Sequence, residues 1–456
     1  MLNGTSDPPA PEIAHTPLRW RLAIAVGILV LGGVSYVLSR AGWLAPRGQS
    51  AIGLICFISL VAMFSANLRA VNWRTIGFGF GLQLLLALFV TSRPGHMIFE
   101  AVGNVMKQLL LFSDEGAKFV FGKLAEREKM EEVFGKGNDF VFAFRTLPTI
   151  IFISSFFTVL YYLRVLPLAV RGMAWLMMYL LKTSGAETLA AAANVFMGQT
   201  EAPLIVKPYV ARMTQSELFT MMVGGMAHIS GGLMAVYIGF NADPVAILAT
   251  CVMASPGGLY LSKLLLAETE IPETRGGAPA TLPSTHRNVI DAAAGGASDG
   301  LGLALNVAAM LIAFLAFIAL GNALLHAVSP ELSLERIFTY LFAPLAFLMG
   351  VDPTEVPRMA ELLGTKLVAN EFVAYLKFKD LPLEGVGAIS PRFRILATYA
   401  LTGFANFASI GIQIGGIGAI APDRRKHLAR LGPRALFVGF LASLVNASIA
   451  GMLLSS

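Results

Sequence analysis

SGAETLAAAANVFMGQTEAPLIVKPYVAR, residues 184–212, decides the fold. Each apolar half is too short to cross a bilayer, which takes roughly 20 apolar residues. The centre brings an amide, a hydroxyl and a carboxylate together at Gln199, Thr200 and Glu201. Pro203 removes a donor and disfavours helix at Ala202, which puts a break near Glu201. The segment therefore reads as a re-entrant hairpin that dips into the membrane and returns to its own side. EVPRMAELLGTKLVANEFVAYLKFK (355–379) has the same character, with Asn370 and Glu371 at its centre. Each hairpin precedes a glycine-interrupted span, MMVGGMAHISGGLMAVYIGF (221–240) after the first and LTGFANFASIGIQIGGIGAI (401–420) after the second. Counting loops gives the two units opposite orientation, the internal symmetry of a secondary transporter whose site lies near the midplane.

The rest of the chain agrees on the solvent. Of 456 residues, 56% are hydrophobic and 14% charged, against roughly a quarter charged in a soluble protein. Apolar runs at 22–38, 51–64, 247–261 and 435–454 recur along the length, so the expectation is an all-α polytopic membrane protein of inverted repeats, with two re-entrant hairpins and interrupted transmembrane helices. Residues 1–18 read as a disordered tail and 19–456 as one integral domain. Segments 102–139 and 164–183 mix charge into helical periodicity and read as helices along the membrane surface. The net charge of +6 comes from basic residues clustered in short loops, as the positive-inside rule predicts, so nucleic acid is not an expected partner. Cys56 and Cys251 lie in apolar runs and read as small core residues. There is no H-E-x-x-H pair, no segment reads as a G-x-S-x-G elbow and no phosphate-binding loop is present, so neither an enzyme nor an ATP-driven pump is expected. A channel is the rival class.

A carboxylate at mid-membrane costs about 2.5–3.5 kcal/mol even on lenient scales, and this chain carries one at both Glu201 and Glu371. Asn406 and Ser409 lie one helical turn apart on one face, near Phe404. Amide, hydroxyl and carboxylate groups with no Arg or Lys suit a neutral solute rich in hydrogen-bonding groups and disfavour a phosphorylated one. A carboxylate accepts from two vicinal hydroxyls and Gln offers both a donor and an acceptor, so a sugar joined to a heterocyclic base fits.

GQTEAPL (198–204), VANEFVAY (368–375), FANFASIGIQIGGIGAIAPDRR (404–425) and VIDAAAGGASDGLGLALN (289–306) closely resemble the concentrative nucleoside transporters, above all their sodium-coupled bacterial members. The likeness runs from about residue 50 to the end. It implies a homotrimer in the bacterial inner membrane, with a scaffold (mainly 50–163 and 289–326) and a mobile transport domain (mainly 164–266 and 337–456) that moves like an elevator. It implies that Gln199, Thr200 and Glu201 read the base, flanked by Leu233 and Leu301, and that Glu371, Asn406 and Ser409 bind ribose with Phe404 beside them. Pyrimidine nucleosides, uridine first, are the implied substrates. Asn194, Met197, His228 and Ile229 fall on the implied sodium site, but His228 stands where the sodium-coupled pattern has serine. That departure keeps proton coupling open, since histidine titrates near neutral pH. No cofactor is expected beyond the coupling ion.

Overall fold

The computed structural model describes residues 15–134, 141–276 and 286–454. Twenty α-helices form among them. The amino-terminal part holds α1 (Leu18–Arg40), α2 (Pro46–Met63), α3 (Trp73–Thr91), α4 (Arg93–Phe121), α5 (Arg127–Phe134), α6 (Phe142–Tyr162) and α7 (Val165–Leu181). The first hairpin is α8 (Gly185–Ala193), a turning tip through 194–201, then α9 (Ala202–Ile205) and α10 (Lys207–Val210). A broken span follows as α11 (Gln215–Ala227) and α12 (Gly231–Gly239), then the continuous α13 (Pro244–Leu265). After α14 (Val289–Val328) and α15 (Leu334–Leu348) the order repeats. The second hairpin is α16 (Val356–Val368) and α17 (Glu371–Lys379), the second broken span α18 (Pro391–Leu401) and α19 (Phe407–Ile420), and the closing span α20 (Arg425–Leu453). Eight helical stretches among the described residues are long and apolar enough to span a membrane, taking α11 and α12 as one.

Local chemistry explains the breaks. Ser184 and Thr214 start α8 and α11 with capping boxes completed by Glu187 and Glu217. The second repeat is cut at Asn370 and Asn406, whose side chains accept from the main-chain N–H groups of Val373 and Ser409 at 2.8 and 2.9 Å and so begin α17 and α19. Gly403 has φ of +119°, and a Cβ there would stand 3.0 Å from the carbonyl oxygens of Met226 and Ala227. Only glycine lets the two broken spans approach so closely.

Packing grades from centre to rim. α11, α13 and α20 are buried along most of their length, whereas α1 buries only Ser35. α1 is tied on through Arg21, which donates to the Ser65 carbonyl, and α14 packs along α6. Both cysteines are free and buried.

Three expectations shift at their edges. The tail expected over 1–18 lies outside the described residues up to 14, but Thr16 is buried, donates to the Ser65 carbonyl at 2.9 Å and accepts from Leu68 N–H. The surface helix expected over 102–139 starts earlier, at Arg93, where Pro94 takes the first turn after the Ser92 cap, and stops at Gly122; residues 135–140 lie outside the description. α7 lies within the segment expected over 164–183, shorter by one residue at its start and two at its end, and is two-faced, with Val170, Ala174, Met177 and Leu181 buried at helical spacing and Leu168, Trp175 and Tyr179 outward.

Candidate functional site

The first hairpin presents its tip to a cavity of about 670 Å³. Met197, Thr200 and Glu201 form one side, Ser230 to Gly232 at the start of α12 another, and α6 and α14 close it with Ser154, Phe157, Asp299 and Asn306 among others. Glu201 accepts from the Gly198 N–H at 3.0 Å, which folds its carboxylate back on the tip while leaving the side chain exposed to the cavity. The methyl of Thr200 packs against Gly416 of α19.

Behind the tip, Asn194 ends α8. Its Nδ2 donates to the Ala190 carbonyl at 3.0 Å, and its buried Oδ1 has no hydrogen-bond partner among the described residues. Asn194 abuts Gly224 of α11, whose carbonyl pairs with His228 Nδ1 at 2.8 Å. His228 Nε2 is buried and has no hydrogen-bond partner among the described residues. Ile229 is fully buried in the same break, and the Ser230 hydroxyl beside it has no partner among the described residues. A buried amide oxygen left without a partner among the described residues, as at Asn194, is chemistry suited to a hard cation.

The second repeat builds a closed polar cluster. Glu371 opens α17, and its Oε1 and Oε2 accept from Tyr237 OH at 3.1 Å and Asn406 Nδ2 at 2.8 Å. The amino termini of α17 and α19 converge there, and their dipoles favour an anion. Gln199 joins this cluster to the first hairpin: its Nε2 donates to Ser409 Oγ at 3.1 Å, and its Oε1 accepts from Gln413 Nε2 at 3.2 Å. Gln413 also donates to the Met222 carbonyl at 3.0 Å.

The expected residues fall into several groups, with Asn194, His228 and Ile229 buried at the first break. Met197, Thr200 and Glu201 face the cavity, while Gln199, Glu371, Asn406 and Ser409 form the buried cluster behind it. Leu233 and Phe404 are buried outside the cavity wall. Leu301 is 48% exposed on α14 and does not line the cavity; Leu303 does. The reason is the helical period, which puts 299, 302, 303 and 306 on one face and 301 on another. The sequence reading passed over Tyr237, Gln413, Asp299 and Asn306. Gln413 was findable, since 406, 409 and 413 share a helix face. It also passed over a literal G-x-S-x-G at 296–300, which lies inside the continuous helix α14 instead of a strand-to-helix turn and so makes no nucleophile elbow.

Two inverted repeats, each with a re-entrant hairpin and a broken span, and a polar site where the breaks meet define a secondary transporter. Segments 52–124 and 246–451 match the amino- and carboxy-terminal profiles described as Na+ dependent nucleoside transporter, and 143–243 matches one described as nucleoside recognition. The chain belongs to the sodium-dependent nucleoside transporter family. A Haemophilus influenzae protein called an uncharacterized transporter is 40% identical, over 89% of this chain and 97% of that one. Sodium/nucleoside cotransporter 1 of Mus musculus is 40% identical over 94% of this chain and 67% of its own. The solved structure of CNTnw in an inward-facing substrate-bound state superposes with a TM-score of 0.84 at 40% identity, covering 89% of this chain and 98% of that one. A CNTnw variant in an intermediate state gives 0.85, at 40% identity and 90% and 100% coverage. The chain is a multi-pass membrane transporter and not an enzyme.

Proposed function

We propose that the protein imports nucleosides, pyrimidine nucleosides such as uridine foremost, by symport with sodium across a bacterial inner membrane, as a homotrimer with elevator-type alternating access. The observation that carries the substrate reading is the Gln199–Ser409 hydrogen bond, which joins the tip that would read the base to the cluster that would hold ribose. Ribose hydroxyls would take over the acceptor oxygens of Glu371 now used by Tyr237 and Asn406, and Gln199 and Thr200 would meet the edge of the base. CNTnw has been solved in an inward-facing state and, as variants, in intermediate and outward-facing states, which supports alternating access here.

In the proposed cycle a sodium ion is held by Asn194 and main-chain carbonyls near Met197, His228 and Ile229. The ion orders the first hairpin against the break and completes the nucleoside site. Ion and solute then raise each other's affinity by the same factor. His228 in that pocket supports a second reading, proton coupling, in which the imidazole carries the coupling proton. Counterflow in proteoliposomes tests the substrate class: preloaded uridine or cytidine should accelerate labelled uridine uptake, and free uracil should not. Equal acceleration by uracil would remove the ribose assignment, and no acceleration by any of them would favour a pore.

A further inference from the structure

Lys366, on the last turn of α16, is completely buried. Its Nζ donates to the Ala400 carbonyl at 2.8 Å, to Ser443 Oγ at 3.0 Å and to the Thr402 carbonyl at 3.4 Å, and lies 5.6 Å from the Phe440 ring centre. The Ser443 hydroxyl in turn donates to the Thr402 carbonyl at 3.0 Å. Three acceptors around one nitrogen match the three protons of an ammonium. The frayed carbonyl end of α18 and the aromatic face both favour a cation.

A second buried lysine shows what is unusual here. Lys263 has Glu187 at 2.6 Å and Glu268 at 3.4 Å, so its charge is cancelled on the spot. The hydrogen-bond acceptors of Lys366 are all neutral, and Glu371 opens the next helix of the same hairpin, just across its tip. An uncancelled buried charge is costly, which calls for a use. The repeat supplies one. In the first repeat the end of the hairpin's first helix meets the broken span at the pocket of Asn194, Gly224 and His228, lined by unsatisfied oxygen. In the second repeat the corresponding junction, α16 against the end of α18, is filled by the ammonium of Lys366.

We propose that Lys366 is a tethered cation that occupies, in the second repeat, the place a coupling ion takes in the first. It pins the break between α18 and α19 and, across the hairpin tip, holds Glu371 in place for the solute, so only the first repeat needs an ion from solution. Lys366 is a positioning residue acting through Glu371, and the inference rests on Glu371 being a nucleoside ligand.

The test is uridine binding by calorimetry to purified K366A, K366M, K366R and E371Q, with thermal stability recorded for each. The expected result is a tenfold or greater loss of affinity in K366A and K366M, a smaller loss in K366R, and recovery of K366A, but not K366M, by methylammonium entering the vacated space. Folded K366M with wild-type affinity overturns the proposal, as does a K366A loss that methylammonium leaves unchanged. If K366A does not fold, the contrast between K366M and K366R decides. If neither neutral variant folds while K366R does, the lysine serves stability alone and the proposal fails. E371Q separates the two readings: wild-type affinity there sinks the nucleoside-site assignment itself, whereas a loss in E371Q with none in K366M sinks only the tethered cation.

Discussion

The main-chain N–H of Phe404 donates to the carbonyl of His228 at 3.0 Å. The breaks of the two repeats are therefore joined backbone to backbone, one beside the candidate ion pocket and the other beside the candidate ribose cluster. A shift of either break must be felt by the other, which gives ion–solute linkage a physical route.

Gly403 is the hinge of that contact. Gly403→Ala places a side chain at φ of +119° and 3.0 Å from two carbonyl oxygens. A strained backbone position of this kind costs about 1–3 kcal/mol. Thermal unfolding should show a lower midpoint than wild type, and uridine affinity should become less sensitive to sodium. An unchanged sodium dependence would remove the hinge role.

Glu371 accepts two hydrogen bonds inside a buried cluster. A hydrogen bond to a charged group contributes about 1.5–3 kcal/mol, so Glu371→Gln should weaken uridine binding by roughly 10- to 100-fold. Tyr237→Phe removes a partner of the carboxylate and leaves the carboxylate itself, so a several-fold change is expected. Calorimetric titration of both variants checks the order, and a Tyr237→Phe effect as large as that of Glu371→Gln would contradict it.

Gln413 holds Gln199 from the side away from Ser409. Its loss in Gln413→Leu should raise the KM for uridine by a few-fold, in line with about 0.5–1.5 kcal/mol for a neutral hydrogen bond. Half-saturation by sodium should hardly move. A sodium effect exceeding the uridine effect would place Gln413 in ion binding.

His228 occupies the turn where an oxygen ligand would help a sodium ion, beside the unsatisfied Asn194 Oδ1. His228→Ser should lower the sodium concentration for half-maximal uptake, and Asn194→Ala should abolish sodium stimulation. If His228→Ser instead removes ion dependence altogether, the imidazole is itself the coupling group.

The sequence made the hairpins legible because a polar triplet and Pro203 interrupt runs too short to span, and because Asn370–Glu371 does the same in the second repeat. Cavity and cluster residues such as Glu201 and Glu371 stood out as charges in apolar surroundings. Tyr237 and Lys366 did not, since a tyrosine in an apolar helix or a lysine on an amphipathic one discloses its partners only after packing; Lys366 meets Ser443 across 77 positions of chain. Leu303 could not be told from Leu301 because the direction that α14 turns toward the cavity is set by its packing on α6.

Sodium-driven nucleoside uptake is tested most directly with purified protein in proteoliposomes, following labelled uridine under an inward sodium gradient and under sodium equal on both sides. Transient accumulation above the external concentration under the gradient, and mere equilibration without it, is the expected result. Equilibration under both conditions, or accumulation driven by a proton gradient and indifferent to sodium, would contradict it.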